Sequence, residues 1–277
     1  MTPDPVPNLR QLLAFYVDAG VDCALAEDPV DRMLDDVPVE STTREAAEPR
    51  SIVKPALQSP PIPALPLGAP PAPDAAIISA REAAATAPTL EALRELMARF
   101  EGCALRSTAK QLVFADGNPQ AKLMLVGEAP GRDEDIEGLP FVGRSGKLLD
   151  LMLAAIGLDR GSVYIANVIP WRPPGNRTPT PQETQICLPF IKRQIELVNP
   201  ELLVTLGNPS TQALLGTRDG IMRTRGRWFD YDTGSRTIRA LPTLHPAYLL
   251  RQPTYKRLAW QDLRAIATAL AALAPTS

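Results

Sequence analysis

Residues 122–157 read KLMLVGEAPGRDEDIEGLPFVGRSGKLLDLMLAAIG. An unbroken apolar run opens the stretch and an amphipathic run closes it. A turn rich in glycine, acid and proline lies between them. A strand that is apolar at nearly every position is buried on both faces, as strands of parallel sheets are. KLMLVGE (122–128) is such a strand, and 145–157 has the periodicity of a helix. The texture recurs outward in both directions. QLVFA (111–115), VYIANVI (163–169), ELLVTLG (201–207) and IRALPTL (238–244) read as further strands. Residues 181–198, 209–215 and 255–273 read as further helices, and 77–86 as one more. Thr89 can cap a helix running to Phe100 with Leu90, Leu93, Leu96 and Met97 inward. The alternation predicts a three-layer α/β/α sandwich with a mostly parallel central sheet. Ligands of such folds sit at the carboxyl ends of the strands.

The N-terminal part is of a different kind. LRQLLAFYVDAG places Leu9, Leu12, Leu13, Tyr16 and Val17 on one side, so residues 1–36 are expected to be a short helical segment. Residues 37–76 are dense in proline and alanine, as in KPALQSPPIPALPLGAPPAPDAA, and read as a flexible linker. The catalytic domain is expected over 77–277. The formal net charge is −2, unevenly spread. Residues 1–86 hold 13 acids against 6 basic residues, and 87–277 hold 18 against 23. The larger part is therefore mildly basic, which suits a phosphate-facing surface. No apolar run is long enough to span a bilayer, and MTPDPVPNLR lacks the pattern of a signal peptide. Cys23, Cys103 and Cys187 are an odd, scattered set, pointing to a reducing cytoplasm rather than a disulfide framework.

The turn after the first strand could hold a phosphate, a metal or a base. It fails as a phosphate loop, because Gly146-Lys147 is followed by Leu148 and Phe141 stands where the first glycine belongs. No GxGxxG follows the strand. Glu128, Asp133, Glu134, Asp135 and Glu137 could favour a metal, yet no histidine accompanies them and acids in turns are commonly just solvated. A pocket for a flat polar ring remains. Glycines at 127, 131, 138 and 143 let backbone approach a ligand, and Phe141 after Pro140 offers a face for stacking. Two more clusters follow strands. VYIANVI delivers Asn167, whose amide matches the Watson–Crick edge of a pyrimidine. IRALPTL delivers His245, the one histidine of the chain, in LHPAYLLR. Taken singly, a phenylalanine or a histidine is commonly structural; by the sheet argument these three meet at one edge.

GEAPGRDEDIEGLPFVGRSGKLLD, NVIPWRPPGNRTPTPQE, LVTLGN and HPAYLLR together resemble the uracil-DNA glycosylase superfamily, specifically its family 4. The resemblance implies an enzyme that flips uracil out of DNA and hydrolyses its N-glycosidic bond, leaving an abasic site. It implies that Phe141 stacks on the uracil, Asn167 reads N3–H and O4, and His245 hydrogen-bonds O2. Gly127 and Ala129 would line the pocket floor. Glu134 and Glu128 match acids associated with the attacking water, Glu134 being favoured and Glu128 the alternative as a loop brace. DNA contacts are expected from Arg172, Arg177 and Arg225, and from the loop Tyr248, Leu249, Leu250 and Arg251. The chain would act as a monomer on uracil-containing DNA, with the N-terminal segment as a place for a protein partner. Two other readings stay open: a non-catalytic module that binds DNA lesions, and a glycosylase of another deaminated base such as hypoxanthine or xanthine.

The sequence departs from the family in one respect. Family 4 members carry four cysteines around a 4Fe–4S cluster. Cys103 and Cys187 match two of these positions, whereas Phe100 and Trp171 occupy the other two. A cubane needs four ligands. No cofactor is therefore expected, with Cys103 and Cys187 as close-lying remnants of a cluster site and the two rings filling its space.

Overall fold

The computed structural model describes residues 73–273. The expected helical segment 1–36 and nearly all of the linker lie outside the described residues. The first helix, α1 (Pro73–Thr86), starts four residues inside the stretch assigned to the linker. Proline suits the first helical position, where its missing N–H is not needed, and Asp74 lies where the helix dipole favours an acid. Ala76, Ala80, Ala84 and Ala87 are all buried, a stripe of small side chains that lets α1 lie close on the sheet-covering helix α6 described below.

The chain continues through α2 (Leu90–Arg99), capped by Thr89 as expected, and α3 (Leu105–Thr108). Then come β1 (Asp116–Gly117), β2 (Leu123–Gly127), α4 (Arg132–Glu137), α5 (Arg144–Ala154) and β3 (Tyr164–Asn167). The second half holds α6 (Pro181–Val198), β4 (Leu202–Leu206), α7 (Asn208–Leu215), α8 (Ile221–Thr224), β5 (Phe229–Asp232), β6 (Thr237–Thr243), α9 (Pro246–Arg251) and α10 (Lys256–Ala271). The six strands form one sheet in the order β1-β3-β2-β4-β6-β5. The four central strands are parallel; β1 and β5 close the edges antiparallel.

Alternate residues of β2 and β4 face opposite ways, as a period of two requires. Met124, Val126 and Leu203 join the core under α1, α2 and α6, and Leu123, Leu125, Leu202 and Val204 join the core under α5 and α10. Helices on both faces make the sandwich three-layered. QLVFA (111–115) is not a strand, contrary to its apolar pattern. The N–H groups of Lys110 and Gln111 donate to Asp135 Oδ1 at 2.8 and 3.4 Å, which ties this stretch to α4. Val113 makes a single bond to the Pro170 carbonyl, at 2.9 Å. The edge strand β5 escaped the sequence reading because its residues alternate between buried and exposed and carry two aspartates.

One buried ion pair joins the far end of the sheet to its covering helix. Arg225 donates from Nε to Asp262 Oδ2 at 3.0 Å and from Nη2 to Leu258 O at 2.6 Å. Thr243 donates to the same Asp262 carboxylate at 2.7 Å. Arg225, expected on the DNA-facing surface, is thus turned inward, with 13 % of its side chain exposed against 1 % for Asp262. Removing one partner of such a pair leaves an uncompensated buried charge. Asp262→Ala is therefore expected to lower unfolding free energy by about 3–5 kcal/mol. Urea denaturation checks this; a loss within experimental error would show that Arg225 finds solvent.

Candidate active site

In the middle of the sheet the chain runs from β2 to β3 on one side and then crosses to β4 on the other. A crevice opens outside the strand ends at such a reversal. The loops leaving β2, β3, β4 and β6 all reach it and enclose a cavity of about 600 Å³. Phe141, Asn167 and His245, more than a hundred positions apart at the extremes, all line this cavity, as do Glu128, Ala129 and Tyr248.

Gly127 and Asn167 are partners in register at the ends of β2 and β3. A Cβ on Gly127 would stand 2.4 Å from Asn167 Oδ1 and 2.6 Å from Cζ of Phe141. The absence of that atom lets amide and ring close over the same backbone. Asn167 is 6 % exposed, yet its amide makes no hydrogen bond within the described residues. The amide is instead open to the cavity, so its donor and acceptor are available to whatever enters there.

Phe141 has φ +56°, a left-handed conformation that is uncommon for a bulky residue and tends to mark functional sites. Two features hold it. The Arg160 guanidinium donates to the Pro140 carbonyl at 3.1 Å and to the Phe141 carbonyl, and is itself fixed by Asp116 at 2.6 Å and Asp150 at 2.7 Å. Gly146 makes room for the Phe141 carbonyl, since a Cβ there would lie 1.7 Å from that oxygen. Neither Arg160 nor Gly146 stood out in the sequence. Their partners are distant or are backbone atoms, which no side-chain pattern records.

The His245 ring lies 5.4 Å from the Phe141 ring, centroid to centroid, at an interplanar angle of 28°. His245 caps α9: its Nδ1 accepts the N–H of Ala247 at 3.1 Å. A neutral imidazole accepting at Nδ1 carries its proton on Nε2, which is left as a donor. Burial, aided by the positive charge of Arg251, lowers its pKa to about 4. Gly207 beneath it has φ +90°, and a Cβ there would come within 3.0 Å of the His245 Cβ.

The two acids of the turn are placed differently from the arrangement favoured from sequence. Glu134 is the brace. Its Oε2 accepts the Gly131 N–H at 3.0 Å, and its Oε1 accepts those of Val142 and Gly143, both at 3.2 Å. That ties the start of α4 to the loop carrying Phe141 and leaves the carboxylate little capacity for water. Glu128 is partly buried, lines the cavity and has no hydrogen-bond or ion-pair partner among the described residues. Burial raises its pKa. Asn208 Oδ1, on the same wall, is buried and also unpartnered.

The expected DNA contacts divide. Leu249 is buried at 1 % exposure and cannot serve as a wedge, because it packs into the core under α9; Leu250 is exposed beside it. Tyr248 lies 5.5 Å from the Tyr255 ring at the cavity wall, and Arg251 is exposed there. Arg177 lines the cavity but is paired with Glu183 through two hydrogen bonds of 2.6 and 2.9 Å. Arg172 donates to Asn176 Oδ1 at 2.6 Å and is 3.9 Å from Asp135. Arg225 belongs to the buried pair described above.

The family's cluster can be tested against the donors present. Cys103 and Cys187 are buried with their sulfurs 3.9 Å apart. The Cys103 sulfur and burial push the Cys187 thiol well above its usual pKa. Phe100 packs edge-on against Phe190 at 5.0 Å, and Trp171 is among the most deeply buried side chains of the same core. Two thiols and two packed rings are not a donor set for a cubane, which needs four ligands.

A slot lined by an aromatic ring, an amide and an imidazole thus lies at the strand ends of an α/β sandwich. The profile of the Uracil DNA glycosylase superfamily matches residues 114–264. A type-4 uracil-DNA glycosylase of Archaeoglobus fulgidus is 39% identical over 178 residues, spanning 63% of this chain and 89% of that protein. The type-4 enzyme of Thermotoga maritima is 38% identical over 177 residues, spanning 63% and 91%. A DNA polymerase of Bacillus phage SP01 is 29% identical over 160 residues, only 17% of its own length. The chain belongs to the uracil-DNA glycosylase superfamily, and within it to the type-4 family.

Because the chain has a single histidine, its imidazole resonances report one site. Titration followed by ¹⁵N NMR is expected to give a midpoint near pH 4 with the Nε2–H tautomer above it. The sign for stability follows. The unfolded chain protonates His245 near its ordinary value while the folded chain resists until about 4, so stability falls as pH drops through that window. A midpoint near 6.5 would overturn the neutral-donor geometry.

Proposed function

We propose that this protein is a monofunctional uracil-DNA glycosylase that hydrolyses the N-glycosidic bond of deoxyuridine in DNA. The observation that carries the reading is the unpartnered amide of Asn167, open to the cavity beside the Phe141 ring and the neutral His245 donor. Uracil offers an acceptor at O4 and a donor at N3, in the order that an asparagine amide complements. Cytosine would present an amino group where the Asn167 amide also donates. Extrusion of the nucleotide costs a few kcal/mol, which contacts to the backbone and an apolar wedge offset. Leu250 is the exposed apolar side chain of the α9 loop and the candidate wedge.

Breaking the bond leaves negative charge on uracil and positive charge on the sugar, as in glycoside hydrolysis. A donor aimed at the developing oxyanion is worth about 3–4 kcal/mol in the transition state. His245 Nε2–H fills that role at O2 without titrating near neutrality. Glu128, with its free carboxylate, orients water and favours the sugar cation. Glu134 acts as the positioning residue for the loop of Phe141. The free Glu128 carboxylate and the intact slot weigh against a module that binds lesions without acting on them. One chain supplies every group named, which supports action as a monomer. The unbridged Cys103 and Cys187 support a reducing cytoplasm as its setting.

Uracil release from a labelled oligonucleotide, single- or double-stranded, tests the proposal. Asn167→Ala and His245→Ala are each expected to lower kcat by about 10²–10³-fold. Glu128→Gln is expected to reduce kcat more than Glu134→Gln, whose main effect is a lower Tm. Folded wild-type protein that releases no base from either substrate would sink the reading; release of hypoxanthine in preference to uracil would reassign the base.

We propose further that the enzyme works without an iron–sulfur cluster, its place being taken by the packing of Phe100 and Trp171. Protein purified without oxygen should hold less than one iron per chain. About four irons and a broad brown absorbance would overturn this.

A further inference from the structure

The crevice extends beyond the uracil slot. A second hollow of about 420 Å³ adjoins it, sharing Glu134, Ser145, Asn176, Ala247 and Arg251 with the first. Arg132 in the first turn of α4 and Arg144 at the start of α5 complete its wall, with Asp133 and Leu250. Arg132, Arg144 and Arg251 thus border one concavity. All three are exposed, and none makes an ion pair or side-chain hydrogen bond within the described residues. Arg160, Arg177 and Arg225, by contrast, each hold a carboxylate within 3 Å.

Like charges around a low-dielectric hollow focus a positive potential into it. Two acids oppose them. Glu134 is occupied by three backbone N–H groups, and Asp133 is the remaining free carboxylate. The backbone adds to the positive side. The N–H groups of Arg144 and Ser145 open an eleven-residue helix with no acceptor among the described residues. Leu250, the candidate wedge, sits on the rim of this hollow rather than of the uracil slot. A nucleotide whose base fills the slot would leave its backbone at the wall the two hollows share.

We infer that the second hollow is a phosphate subsite, in which Arg132, Arg144 and Arg251 hold the DNA phosphodiester adjoining the flipped nucleotide. The inference rests on the uracil-DNA reading of the neighbouring slot and assigns Arg132 and Arg144, which the sequence patterns did not single out. An arginine fork matches the oxygens of a phosphate, and one such contact anchors the strand while Leu250 occupies the space left by the base.

Binding is measured with full-length protein on an oligonucleotide carrying 2′-fluoro-deoxyuridine, which resists cleavage, and on the same sequence without uracil. Each of Arg132→Ala and Arg144→Ala should reduce the steepness of log K against log salt by about 0.7–0.9. The double variant should raise KM for uracil release about tenfold or more while kcat falls far less. Arg94→Ala, on exposed α2, is the control and should leave the slope as in wild type. A neutral methylphosphonate at the linkage either side of the uridine identifies the phosphate. At one linkage its penalty should be large in the wild type and nearly vanish in the double variant. Wild-type slopes in both single variants, or equal methylphosphonate penalties in wild type and double variant at both linkages, would overturn the subsite. Failure of the uracil reading would appear differently, as absent base release with the salt slopes still altered.

Discussion

The missing Cβ of Gly127 is the constraint around which the crevice is built. β2 and β3 run in register to their last residues, so Asn167 lies directly beside Gly127. The Phe141 ring then closes over the same point. Any larger residue at 127 would collide with both the amide and the ring, so one or both would have to leave the position they hold around the slot. The parallel sheet makes this possible, because it delivers four loops to one edge from strands that are themselves rigid and buried.

Rigidity around the slot is supplied by groups that do not enter it. Phe141 sits in a left-handed conformation that would relax in a free peptide. Arg160, held between two aspartates, and the close approach of Gly146 leave it no alternative. Glu134 spans the same loop from the other side by accepting three N–H groups. The turn that looked like a cluster of solvated acids is thus partly an internal scaffold, and of Glu134 and Glu128 it is the one at the strand end that has no partner among the described residues. Such a division keeps the reactive geometry fixed while one carboxylate stays chemically available.

The core near α2 and α6 presents the converse case, two thiols packed among rings rather than turned toward a crevice. Two thiols remain at hydrogen-bond distance, and aromatic rings fill the neighbouring volume at close packing. Burying Phe100 against Phe190 of α6, and Trp171 in the same core, stabilises this region through area removed from water, a non-directional effect that needs no ligand set. The stretch between Cys103 and β1 is held instead by Asp135, by Gln111 on the Ile136 carbonyl, by Gln194 on the Phe114 carbonyl and by one backbone bond to Pro170, so an apolar pentapeptide there does not join the sheet.

The sequence by itself determined the layers, the parallel strands and three residues that the structure brings to one crevice. Period-two and period-3.6 patterns are local, and Asn167, His245 and Phe141 each follow a strand that reads clearly. It could not determine which acid is free, because Glu134 is satisfied by backbone N–H groups that every residue carries alike. Nor could it separate Leu249 from Leu250, or Arg225 from Arg251. Adjacent residues on a short helix and chemically identical guanidinium groups differ only in what lies beside them, Asp262 in one case and open crevice in the other. Such differences depend on contacts between distant segments, and only the tertiary structure, by fixing which groups lose water and which keep it, decided them.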